Sequence, residues 1–192
     1  MALPTLILGL GLVLFLGIHV VPAVPPLRAA CASRLGEQRY KGLFSVVSGI
    51  GLLLIVAGYA YAPRGDQLFA ASIGARHAAP LVMVIAFILL AAANMKTHIR
   101  RIVKHPMLIG LGLWALVHLL ANGHAKATLL FGAFLAYAAL DLGSAVARGA
   151  VKQFVPQRKY DFMAVGGGVL LALLVMLFHR VLFGVAPVPW SF

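Results

Sequence analysis

"KHPMLIGLGLWALVHLLANG", residues 104–123, places a lysine, a histidine and a proline at the mouth of an apolar run that extends from Pro106 to Asn122 and holds one further histidine, His118. The run reads as a bilayer crossing because the chain around it has the same character. Of its 192 residues, 62% are hydrophobic and 10% charged, against roughly 45–50% apolar and about 25% charged in soluble domains. A spanning helix needs about 20 largely apolar residues. Six such segments are predicted, over 3–24, 42–62, 78–96, 106–122, 125–147 and 161–183. They leave no room for a soluble domain, so residues 1–192 read as one all-α, polytopic membrane domain, a bundle of six transmembrane helices.

The formal charge of +12 follows this segmentation. Arg28, Arg34, Arg39 and Lys41 fall after the first span, Lys96, Arg100, Arg101 and Lys104 after the third, and Arg148, Lys152, Arg158 and Lys159 after the fifth. The opposite side holds only Arg64, Arg76, Lys126 and Arg180. Lysine and arginine mark the cytoplasmic side of a membrane protein. Both termini are therefore predicted to face outward, with the three basic loops in the cytoplasm. No basic run is interleaved with aromatic residues, which excludes nucleic acid as a partner; lipid is the expected surrounding. Cys31, the single cysteine, forms no internal disulfide and reads as a space-filling residue, not a lipidation site. The first span has no positive charge before it and an apolar core too long for a secretory signal, so it reads as a retained helix.

Ionisable side chains inside a bilayer are rare and point to function. They are few here. His19 and His105 lie near the cytoplasmic ends of the first and fourth spans, while His77, His118 and His179 lie in the outer half. Asp141 is the one carboxylate well inside a span, and it is expected to pair with an arginine or to be protonated. His98 and His124 read as solvated loop residues. At about 1.5 Å per residue, His105 and His118 stand roughly 20 Å apart along one helix, whereas two imidazoles on one metal are only about 4 Å apart. They cannot share an ion. Depth instead matches His105 with His19, and paired histidines from facing helices are one way bundles hold cofactors. A haem there could set its propionates against Arg28, Arg100 or Arg101, since arginine pairs with carboxylates bidentately. His105 equally suits a wetted boundary position ahead of a proline at the first helical turn. His118 shares a face with Trp114 and Asn122 at i, i+4 spacing, which suits an inter-helix hydrogen bond or aromatic packing. Glycines at positions 9, 11, 17, 49, 51, 166, 167 and 168 are places where helix backbones can approach closely.

Two regions carry a resemblance. "RLGEQRYKGLFSVVSGIGLLLIVAGY", residues 34–59, and residues 104–123 resemble the signature regions of the NnrU family of multi-pass bacterial membrane proteins. The likeness covers nearly the whole chain and is weakest in the aromatic tail "GVAPVPWSF". The family takes its name from nitrite and nitric oxide reduction, and it is related to the 15-cis-zeta-carotene isomerase, which uses haem b. The resemblance implies a haem b with two histidine ligands, which map to His19 and His105. It departs from the plant enzyme before the His-Pro motif: Ile102 and Val103 stand where a cysteine would be needed, so no thiolate exchange is expected there.

Three functions follow as expectations. The first is a haem b isomerase or redox protein acting on a lipophilic polyene such as zeta-carotene, with metal ligands His19 and His105. The second is a non-enzymatic accessory protein that supports nitrite and nitric oxide reductases in denitrification, its contacts made through helix faces or the aromatic tail. The third is a small carrier using Asp141 and His118 as a relay; the absence of an evident internal repeat weighs against it. No catalytic nucleophile, hydride-transfer or phosphate-binding motif is present, and no catalytic residue is assigned.

Overall fold

The structure, a computed structural model, describes residues 2–187; Trp190 and Phe192 of the aromatic tail lie outside the described residues. Among the described residues eight helices follow one another: α1 Leu3–Ala23, α2 Pro25–Leu35, α3 Glu37–Tyr61, α4 Ile73–Ala92, α5 His98–Val103, α6 Pro106–Asn122, α7 Ala125–Ala147 and α8 Arg158–Phe183. No strand occurs among the described residues; a single bridge joins Gln67 and His124. The expected all-helical membrane architecture is present.

Among the described residues five helices, α1, α3, α4, α7 and α8, are long and apolar enough to cross a membrane. The remaining predicted span, α6, has 17 residues, about 26 Å at the helical rise against a hydrocarbon core of about 30 Å. The six-span expectation therefore holds for five helices by length, with α6 shorter. Both of its ends are fixed by backbone geometry: Pro106 opens it, and Gly123, at φ 76°, closes it in the left-handed conformation. Side chains such as Val13 at 70% exposure, Leu53 at 71% and Val181 at 82% present apolar surface outward, as lipid-facing residues do.

Other boundaries differ from the predicted ones for local reasons. Val24 precedes a proline and is extended, at φ −115°, because the proline ring disfavours helical geometry in the residue before it; α1 stops there, and Pro25 begins the unpredicted helix α2. Polar residues from Glu37 to Lys41 extend α3 beyond its apolar segment, with Arg28 and Lys41 placed 2.7 and 3.3 Å from the Glu37 carboxylate. Ser72 caps α4 by accepting the Ala75 amide at 3.1 Å, which starts that helix five residues before its predicted span.

The chain divides into two compact units. Unit 1 holds the described residues up to Gln67 together with His124–Ala133; unit 2 holds Leu68–Gly123 and the described residues from Phe134 onward. Helix α7 contributes to both.

In unit 1, α1 and α3 pack antiparallel along a seam of small residues. A Cβ added at Gly11 would come within 2.6 Å of the Ile55 amide nitrogen, and one at Gly51 within 2.7 Å of the Phe15 nitrogen. Gly58 lies equally close under Leu8. Close backbone approach lets dispersion act across the interface in a medium that offers no hydrophobic drive. In unit 2, α4 lies against two partners: Gly110 of α6 fits over Ala86 and Leu89, and Gly168 of α8 sits against Ile88, where a Cβ would stand 2.6 Å from the Ile88 Cα. The small-residue reading thus holds for Gly11, Gly51 and Gly168. Gly9, Gly17, Gly49, Gly166 and Gly167 face open space, and Gly58 and Gly110 carry contacts that the sequence reading missed.

Candidate functional site

His19 lies one turn beyond Phe15, whose backbone packs on Gly51. Its Nδ1 donates to the Phe15 carbonyl at 2.6 Å, and its ring lies 4.4 Å from Phe15 and 5.0 Å from Phe44 by centroid. A donor at Nδ1 puts the lone pair of the neutral ring on Nε2, the arrangement in which a backbone carbonyl bonded to one ring nitrogen orients a ligating histidine. His118 and His179 share the pattern, with Nδ1 donating to the Trp114 and Val185 carbonyls at 2.8 Å each, so the tautomer alone does not single out His19.

His105 is positioned by a different device. It is the residue ahead of Pro106, and its amide donates to the Val103 carbonyl at 2.8 Å. That bond closes a three-residue turn around Lys104, whose φ of 64° and ψ of −52° match the rare γ-turn of positive φ. Lys104 is the one non-glycine residue of positive φ among the described residues. Such a conformation costs about 1–3 kcal/mol. The His105 carbonyl then accepts the Ile109 amide at 3.2 Å, which ties the histidine to the first turn of α6. The residue is half-buried, and its ring makes no hydrogen bond among the described residues.

His19 belongs to unit 1 and His105 to unit 2. The arginines expected beside a propionate are likewise distributed. Arg28 is held by Glu37 at 2.7 Å and lies 5.7 Å from the Tyr40 ring. The Arg100 guanidinium lies 5.1 Å from the Phe154 ring centroid. Arg101 is exposed, and its side chain has no ion pair among the described residues.

The remaining polar candidates form local chains. Trp114, His118 and Asn122 are linked along α6, with the Asn122 amide donating to the His118 carbonyl at 2.7 Å; Trp114 also meets Phe134 edge to face at 5.3 Å. These two bonds run along the helix, and the Trp114–Phe134 contact is the aromatic packing expected for this face. Asp141 accepts the Tyr137 hydroxyl at 3.1 Å, so a phenol one turn away takes the place predicted for an arginine.

Two histidines correct the sequence reading. His98 is not simply solvated: its Nδ1 lies 2.6 Å from Asp161 Oδ2, and its amide donates to Asp161 Oδ1 at 2.7 Å. Asp161 of α8 thereby receives the start of α5, while the buried Thr97 caps the same end by accepting the Arg100 amide at 2.9 Å. His124 has its Nδ1 buried without a hydrogen-bond partner. Two cations of the sparsely charged side also have structural work: Lys126 donates to the Tyr59 and Ala62 carbonyls at the end of α3, at 3.1 and 3.0 Å, and Arg76 donates to the Ala121 carbonyl at the end of α6, at 3.0 Å.

No three His, Cys, Asp or Glu side chains converge on a common point among the described residues. A metal bound by protein side chains alone asks for such a cluster. A haem asks the protein only for axial atoms.

The chain matches the family model described as NnrU protein over residues 7–187. No curated protein and no solved structure matches it.

Proposed function

The chain belongs to the NnrU family and is an integral membrane protein with several apolar helices; from that premise we propose that it binds haem b, which the imidazoles of His19 and His105 would hold. The observation that carries this reading is the γ-turn at Lys104. Strained backbone persists where the surrounding structure over-determines it, and it clusters at functional sites. Here the strain sets one residue, the histidine that the family resemblance marks as a ligand. His19 supports the reading through its Nδ1 bond to Phe15, which orients the ring. Arg101 is the arginine assigned to a propionate, because Arg28 is already engaged by Glu37.

The activity proposed is cis–trans isomerisation of an apolar polyene that enters laterally from lipid. When bound, haem b supplies a Lewis-acidic, redox-active iron beside the conjugated double bond. The protein's own share is to fix the imidazoles, exclude water with apolar helix faces and hold the polyene in the bilayer plane. Isomerisation leaves the atoms and the electron count of the substrate unchanged.

The test is an absorption spectrum of the detergent-purified full-length protein, oxidised and then reduced with dithionite. A Soret band is expected, lost or shifted in His19→Ala and in His105→Ala while His98→Ala keeps it. Full haem content in both of the first two variants would overturn the assignment. Incubation with a 15-cis carotene, followed by chromatographic separation of isomers, then tests the activity.

A further inference from the structure

Between the end of α4 and the start of α8, unit 2 carries two adjoining open clefts of about 410 and 300 Å³. Lys96, Arg100 and Lys152 line the smaller one; Arg100, Arg101, Lys104 and Lys152 line the larger. No carboxylate and no histidine lines either. So many like charges around one concavity repel one another unless an anion enters. The whole chain has only four acidic residues; of these, Asp161 is bonded to His98 and Glu37 to Arg28.

We infer that this cleft binds the phosphodiester headgroup of an anionic phospholipid. The ligand differs from that of the haem reading; Arg101 lines the larger cleft as well, but Lys96 and Lys152 have no part in the haem reading, so the test rests on those two lysines. Phosphate chemistry follows from the donor set, because guanidinium and ammonium groups are its standard partners. Lipid is favoured over a soluble phosphate by two further observations. First, the cleft lies where spanning helices end: α4 stops at Ala92, and α8 starts at Arg158, which is headgroup depth for a chain embedded by those helices. Second, apolar side chains stand exposed alongside the cations, Ile102 at 77% and Val155 at 78%. A soluble anion gains nothing from them, whereas glycerol and the first acyl carbons cover them. Arg100 is pre-positioned: its guanidinium lies over the Phe154 ring, and its amide is tied to Thr97. Basic pockets at the ends of transmembrane helices are recognised lipid-headgroup sites.

The experiment titrates the full-length protein, in neutral detergent, with short-chain phosphatidylglycerol and reads bound lipid by native mass spectrometry. Phosphatidylcholine and pyrophosphate form the comparison arms. Phosphatidylglycerol is expected to bind, phosphatidylcholine not, and pyrophosphate not to displace it. Lys96→Gln with Lys152→Gln should weaken binding about 25-fold, at about fivefold per cation near a membrane surface. Lys96→Arg with Lys152→Arg should restore it, which separates charge from misfolding. Arg34→Gln with Arg39→Gln removes the same charge from unit 1 and should leave binding unchanged. Equal loss in that control reduces the effect to net charge and overturns the site. Equal binding of both lipids also overturns it, and displacement by pyrophosphate overturns the lipid in favour of a soluble phosphate. The Soret band of the Lys96 and Lys152 variants should match that of the parent, so this test and that of the haem ligands fail independently.

Discussion

In unit 1 one helix pair carries three glycine contacts, Gly11, Gly51 and Gly58, whereas in unit 2 the central helix α4 meets two partners through one glycine each, Gly110 and Gly168. The difference extends to the histidines. Phe15 packs its backbone on Gly51 and offers its carbonyl to His19, so the ring of His19 inherits its orientation from the seam. His105 lies at a helix entrance, and its position is inherited from the turn at Lys104. One proposed ligand is thus held by side-to-side packing and the other by backbone geometry. Damage to the seam should reach His19, and damage to the α5–α6 connection should reach His105.

The largest effect that bears on this contrast is expected at Gly51. Gly51→Ala drives a methyl into the Phe15 backbone and should cost about 1–3 kcal/mol by overpacking. Gly49→Ala, facing open space two residues away, should be neutral or gain up to about 1 kcal/mol from helix propensity. Thermal melting in detergent, followed by size-exclusion of the surviving protein, compares the two directly. If both substitutions behave alike, the seam is not where the structure puts it.

A middle-sized effect is expected at Thr97, which is fully buried and caps α5. Thr97→Val keeps the shape and removes the cap, at about 1 kcal/mol. Its consequence should appear as faster hydrogen exchange in α5 and the His105 turn, with α1 and α3 unaffected. The smallest effect is expected for Lys126→Met, which removes the cation from the end of α3 and should cost about 0.5 kcal/mol. Reduced protection confined to the last turn of α3 would agree with that role; a change spread over the whole helix would not.

Much of the fold was legible because it rests on composition. The limits of α6 and α7 coincide with the predicted 106–122 and 125–147, where Pro106 and Gly123 mark the turns in the sequence itself. The helices α2 and α5 were not legible. They lack an apolar run, and they are specified by local breaks and by a carboxylate, Asp161, that lies 63 residues from His98. The glycines show the same limit: Gly49 and Gly51 look alike in sequence, and only the register of α1 on α3 tells which of them is covered. At the candidate site, the histidines could be named from the chain, but the turn that positions His105 could not. Lysine is not a residue that announces positive φ, and the signal lies wholly in the backbone.

The central claim is that imidazoles from His19 and His105 ligate one haem. Near-infrared magnetic circular dichroism of the ferric full-length protein tests it most directly, because this spectrum identifies the axial ligand atoms. The account predicts a bis-imidazole signature in the parent that is lost in His19→Ala and in His105→Ala and kept in His118→Ala. A protein that carries no haem, or one whose bis-imidazole signature survives both substitutions, would contradict it.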